Sequence, residues 1–336
     1  MKRTVLTLVL LPLLSGSFQQ GPSTVAAVNF DIVQLGEGIY ACINKFGGKA
    51  ICNAGIIDNG EATIIFDTFL SPDAADEMIR MVDRLSLSPI RYVVNSHYHN
   101  DHVRGNQCFP PGVKILSTTR TAALIEIEEP KSIAAEKRYG PVRYRHFDSL
   151  FTAYHGDTTS PQYRILKLWK AYYGELAESD KKIQTVVPTT CVEKVTFLDG
   201  SRRKVRLLDQ GQGHTESDLV LYLPDDSTLF TGDLVFNKCH PYLGDGSATG
   251  LKSILAGLES MPVKIVVPGH GEVGPWESIG AMREYIEALE AIVRKIKKEG
   301  AGREGLRKTP IPGSCADWLL EEYYWANVEF VYDTIK

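Results

Sequence analysis

The stretch Ser96-His97-Tyr98-His99-Asn100-Asp101-His102 constrains this chain more than any other. Three imidazoles and one carboxylate fall between positions 97 and 102, directly after the apolar run Ile90-Arg91-Tyr92-Val93-Val94-Asn95. That run is rich in β-branched and aromatic residues and reads as a buried strand. In extended backbone His97 and His99, two apart, project to the same side. Asp101 and His102 follow where the chain turns. Imidazole and carboxylate are the donors that zinc prefers, and iron or manganese suits the same set. A lone histidine would read as a surface residue, whereas H-x-H-x-D-H at a strand end reads as a metal site.

Further along, the same chemistry recurs at other strand ends. Gly211-Gln212-Gly213-His214-Thr215 precedes a strand, Thr231-Gly232-Asp233 ends one, and Pro268-Gly269-His270-Gly271 ends another. Glycine beside each of these residues lets backbone approach closely without a Cβ. Of the 8 histidines, those at 97, 99, 102, 214 and 270 occupy such positions, and His146, His155 and His240 do not. Alone, His214 or His270 reads equally well as a structural histidine, and Asp233 as a turn cap. Beside the cluster at 97–102, a joint ligand set is the better account.

A length of 336 residues accommodates two domains or one large α/β unit. The net charge of −4 argues against a broad nucleic-acid footprint, and Arg202-Arg203-Lys204 reads as a solvated hairpin edge. Residues 1–17 have the form of a secretory signal: a basic start at Lys2-Arg3, a short apolar core, then Ser15-Gly16-Ser17. This predicts a secreted or periplasmic protein without stable membrane insertion, and residues 18–30 read as a linker. The 6 cysteines are widely spaced, and only Cys42 and Cys52, across Gly47-Gly48, suggest a disulfide. Residues 31–299 carry the main domain, with strands up to Asp67 and a helix capped by Ser71-Pro72. An aromatic, mostly helical insertion follows at about 119–187, punctuated by Pro130, Pro141 and Pro161. Strands resume at Cys191–Phe197, and 300–336 reads as a linker and a C-terminal helix.

The ordered motifs H-x-H-x-D-H, G-H-T, T-G-D and P-G-H-G resemble the metallo-β-lactamase superfamily, with Asp67 resembling its earlier acidic motif. The resemblance spans roughly residues 31–290 and implies an α/β (α+β) fold, a four-layer αβ/βα sandwich of two halves carrying a helical insertion. It implies two zinc ions, one held by His97, His99 and His214, the other by Asp101, His102 and His270, bridged by Asp233. Asp67 would orient a ligand histidine, and Asp101 would also orient a metal-bridging hydroxide and take its proton. The implied activity is hydrolysis of an ester, lactone or thioester bond of a small molecule. The alternatives are a β-lactamase, which the export signal favours and the bridging Asp233 disfavours, and a mononuclear iron dioxygenase sharing much of the ligand set. In the loop after Asp233, Asn237 or Lys238 could meet a substrate carboxylate, though a solvated loop explains them as well.

Overall fold

Alternating apolar residues put both faces of each central strand in a core, and the architecture follows from that pattern. The computed structural model describes residues 24–300 and 302–335. The signal segment 1–17 lies outside the described residues. Residues 24–26, read from the sequence as linker, instead form β1 (Thr24–Ala26), which closes the edge of the first sheet against β2 (Phe30–Gly36). The meander continues antiparallel through β3 (Ile39–Asn44), β4 (Ala54–Asp58) and β5 (Thr63–Phe66). Then β6 (Ile90–Val94), β7 (Lys114–Ser117) and β8 (Thr190–Cys191) add in parallel.

The second sheet is built from β9 (Val195–Phe197), β10 (Arg206–Gly211), β11 (Asp218–Leu223) and β12 (Thr228–Phe230). A two-stranded ribbon, β13 (Phe236–Asn237) with β15 (His270–Gly271), lies beside it, and β14 (Ile265–Val267) and β16 (Gly274–Pro275) complete the sheet.

On β11 the period of two is complete. Leu219, Leu221 and Leu223 face the first sheet, while Val220 and Tyr222 face helices. Between the sheets Ile39, Ile57, Ile64 and Phe66 meet Leu207, Leu221 and Phe230, with the Phe66 and Phe230 rings 6.0 Å apart. Each such fully buried side chain contributes roughly 1.5–3 kcal/mol by leaving water. Outside the first sheet lies α1 (Pro72–Arg84), started by the Ser71 cap and Pro72, burying Met78 and Met81 against Ile56 and Val93. The short α2 (Asn100–Val103) follows β6. Between β7 and β8 come α3 (Thr119–Thr152), α4 (Pro161–Leu176) and α5 (Ser179–Lys182). Outside the second sheet, α6 (Ala248–Glu259), α7 (Glu277–Lys298) and α8 (Glu322–Thr334) cover the remaining face. The order helix, sheet, sheet, helix is the αβ/βα sandwich.

Several expectations are corrected. Pro130 and Pro141 do not punctuate the insertion but sit inside the 34-residue α3. Packing against α4 outweighs their local cost, and Gly140 lets the two helices touch so closely that a Cβ there would meet the backbone of Leu176 and Ala177 at 2.9 Å. Cys191–Phe197 is not one strand: β8 belongs to the first sheet and β9 to the second. Arg203 is buried, not solvated, with its guanidinium 3.1 Å from Asp226. Cys42 and Cys52 are free thiols. The residue opposite Cys42 on β4 is Ala54, and Cys52 donates its S–H to the Asp101 carbonyl at 2.7 Å.

Candidate metal centre

Parallel strands expose the loops at their carboxyl ends to one edge, the usual place for a site in such sheets. Here β5 leads into Asp67, β6 into residues 95–102, β12 into Asp233, and β14 into His270. The loop between β10 and β11 brings His214 to the same edge. Asn53 ties the edge together, its side-chain amide donating to the carbonyls of Pro268 (2.9 Å) and Gly271 (2.8 Å).

Asp233 stands at the centre. Its Oδ2 lies 3.3 Å from His214 Nε2 and 3.8 Å from His97 Nε2. Its Oδ1 lies 3.2 Å from His102 Nε2 and 3.4 Å from His270 Nε2. His99 Nδ1 approaches His214 Nε2 at 3.1 Å, and Asp101 Oδ2 lies 3.4 Å from His270 Nε2. His97, His99, His214 and Asp233 form one group able to hold an ion, and His102, Asp233 and His270 a second. Asp101 groups with His102 and Cys52. Two donors on one tetrahedral zinc, each about 2.0–2.1 Å from it, stand about 3.3 Å apart. The observed spacings bracket that value. The Nε2 atoms of His97 and His102 and Oδ1 of Asp233 are buried without any hydrogen-bond partner. Unpaired buried polar atoms are costly, and a cation would satisfy all three. The donor set therefore fits zinc.

Supporting residues set the tautomers. Asp67 Oδ2 accepts from His102 Nδ1 at 2.8 Å, leaving Nε2 as the free lone pair. Ser96 donates its backbone N–H and hydroxyl to Asp67, both at 2.7 Å, and contacts His97 Nδ1 at 2.9 Å. Asp245 accepts from His99 Nε2 at 3.0 Å. Asp218 holds the His214 loop, accepting from Thr215 Oγ1 at 2.7 Å and from the N–H groups of Gly213 and Thr215. Ser96, Asp218 and Asp245 escape a sequence reading. Thr215-x-x-Asp218 is a faint turn signal, and nothing local marks Asp245.

Electrostatics follows burial and neighbours. Burial pushes His97 well below the usual histidine range and His214 down to about 3, keeping both neutral. For His102 burial opposes the charged form, but the carboxylates of Asp233, Asp101 and Asp67 outweigh it and raise its pKa. Burial likewise opposes the Asp233 anion, but His270, His102 and His214 hold it well below the usual carboxylate range. Burial pushes Asp218 up to about 6.

Close packing protects this geometry. A Cβ at Gly269 would overlap Asp233 Oδ1 and stand 2.7 Å from the Gly232 carbonyl carbon. Gly269→Ala is expected to cost about 1–3 kcal/mol and to lower metal content. Gly257→Ala, where a Cβ meets nothing within 4 Å, is the control, read by thermal melting and metal analysis.

A two-sheet sandwich with histidines and carboxylates gathered at one edge is the architecture of metal-dependent hydrolases. The chain belongs to the metallo-beta-lactamase superfamily, which it matches over residues 47–111 and 192–270. It is 23% identical over 252 residues to metallo-beta-lactamase type 2 of Bacillus cereus, covering 72% of this chain and 77% of the relative. The corresponding protein of Bacillus sp. (strain 170) is also 23% identical, with the same coverage. Among solved structures, the mono-zinc form of FIM-1 from Pseudomonas aeruginosa superposes with a TM-score of 0.54 at 15% identity, over 78% of this chain and 96% of that one. VMB-1 gives 0.54 at 18% identity, over 78% and 99%.

Proposed function

We propose that this protein is an exported dinuclear zinc hydrolase that cleaves an ester, lactone or thioester of a small molecule. The observation that carries the reading is Asp233, whose two carboxylate oxygens divide between His97 and His214 on one side and His102 and His270 on the other. In this reading His97, His99 and His214 hold one ion, Asp101, His102 and His270 the other, and Asp233 both. Bound there, zinc supplies Lewis acidity and a water whose pKa is lowered towards neutrality.

The chain's own residues do the rest. Asp67 fixes the His102 ring, and Asp245 fixes the His99 ring. Asp101 lines the cavity beside Asp233 and His270, placed to take a proton there. Phe236 lies against the His270 ring, 4.9 Å between centroids, and shields that side from water. Export rests on the signal-like residues 1–17; among the described residues no helix is long and apolar enough to cross a membrane. β-Lactam hydrolysis is the second reading, favoured by the two Bacillus relatives.

Metal analysis and turnover test both. Two zinc ions per chain are expected, with hydrolysis of aryl esters or lactones lost on chelation and restored by zinc. Metal withdrawal is also expected to lower stability by about 4 kcal/mol per ion relative to protein at a thousandfold excess of metal over Kd. Fast chelator-sensitive cleavage of a chromogenic cephalosporin would establish the second reading instead. A single iron with oxygen consumption would overturn both.

A further inference from the structure

The cavity beside the candidate metal centre holds about 490 Å³, and its outer wall comes from the insertion and the C-terminal segment. That wall combines two chemistries. Tyr139, Trp169, Tyr172 and Tyr323 supply aromatic rings, and Glu129 and Glu136 of α3 supply carboxylates. Among the described residues no lysine or arginine lines it. Both glutamates are almost fully buried, with side-chain exposures of 4% and 1%. One cation serves the two: Arg104 Nε donates to Glu129 Oε1 at 2.6 Å, and its Nη2 to Glu136 at 2.8 and 2.9 Å. With all three ionised the group carries one excess negative charge. Glu129 lines the cavity, and its Oε2 has no protein donor among the described residues.

An excess buried negative charge beside aromatic rings matches a cation. Ring faces attract ammonium groups, and a carboxylate adds a charge-assisted contact. An anionic substrate finds no lysine or arginine on this wall among the described residues. Resting on the hydrolase reading above, we propose that the substrate is an acyl compound bearing an alkylammonium group, its cation seated between the Glu129–Glu136 wall and the aromatic rings while its carbonyl faces Asp101 and Asp233. Hydrolysis adds one water across the acyl bond, giving a carboxylic acid and the alcohol or thiol.

The test compares three nitrophenyl esters with one leaving group on the zinc-loaded full chain: of trimethylammoniobutyrate, of its uncharged tert-butyl isostere, and of sulfobutyrate. Each rate is divided by its uncatalysed rate. The cationic ester is expected to exceed the isostere in kcat/KM roughly tenfold or more, mainly through KM, with the sulfonate slowest. Glu129→Gln should bring the ratio of cation to isostere towards one. Equal rates, or preference for the sulfonate, would overturn the proposal. Equilibrium binding of choline against its uncharged isostere dimethylbutanol, followed by isothermal titration calorimetry, separates the two readings. Choline favoured with no ester cleaved retains the cation site and removes the esterase reading. No preference for choline removes the cation site whatever is cleaved.

Discussion

Asp101→Asn is expected to lower turnover by about 10²–10⁴-fold, the usual contribution of a positioned proton acceptor, while the fold is kept. Asparagine matches aspartate in size and retains one carbonyl oxygen, but it cannot take a proton. The backbone around it does not depend on the carboxylate: Asp101 sits in the first turn of α2, and its own carbonyl accepts from Cys52. The carboxylate is 13% exposed, whereas Asp233 is 5% and Asp67 fully buried. Of these acids it is therefore the one best placed to exchange a proton with the cavity. Circular dichroism should stay near that of the parent, and the rate is read at saturating zinc because the neutral amide is a weaker donor than the carboxylate it replaces. The decisive comparison is with Asp101→Ala, expected to lose metal from the His102–His270 side as well as rate. If Asp101→Asn kept its rate within about threefold, the proton would have to go elsewhere, and the assigned chemistry would fail.

How much of this was legible in the sequence depends on range. Residues 97–102 announce themselves because donors adjacent in sequence, at the end of an obvious strand, need no tertiary information. Asp67, His214, Asp233 and His270 are readable because each ends or precedes a strand beside glycine or in a short motif, and parallel strands bring such ends to one edge. The residues that hold the donors are not readable in this way. Asp245 reaches His99 across 146 positions from a loop with no periodicity. The insertion shows the same limit. Its helical character is visible in composition, but Pro130 and Pro141 argue locally for breaks that contact with α4 overrides. Likewise the continuous pattern Cys191–Phe197 hides a change of sheet, because alternation records burial and not which partner buries it.

Arg104 is the residue whose loss should cost the fold most. It lies in the turn directly after α2, next to the histidine-bearing loop, and is 1% exposed. Glu129 and Glu136, seven apart on one face of α3, both bond to it, so this triad anchors the insertion to the histidine-bearing loop. Asn100 also donates to Glu136, at 3.2 Å. Arg104→Ala removes the only cation that pairs with them among the described residues and leaves two buried carboxylates facing each other. A loss of about 3–5 kcal/mol is expected, measured by urea denaturation at fixed free zinc. Arg104→Lys should recover little of it, because a single ammonium cannot fork between two carboxylates. The loss should also depend on pH. Burial already raises Glu129 above its ordinary value of 4.5 in the parent, despite Arg104. A carboxyl whose pKa is raised on folding binds more protons in the native state than in the unfolded one, so its contribution declines as pH rises. Without Arg104 that rise is larger. The destabilisation should therefore be smallest near pH 4.5 and grow towards neutrality. Replacing both glutamates by glutamine in an Arg104→Met background removes the stranded charges and should restore most of the stability. If Arg104→Ala unfolded at the parent's urea midpoint at neutral pH, the triad would not be what holds α3 over the site.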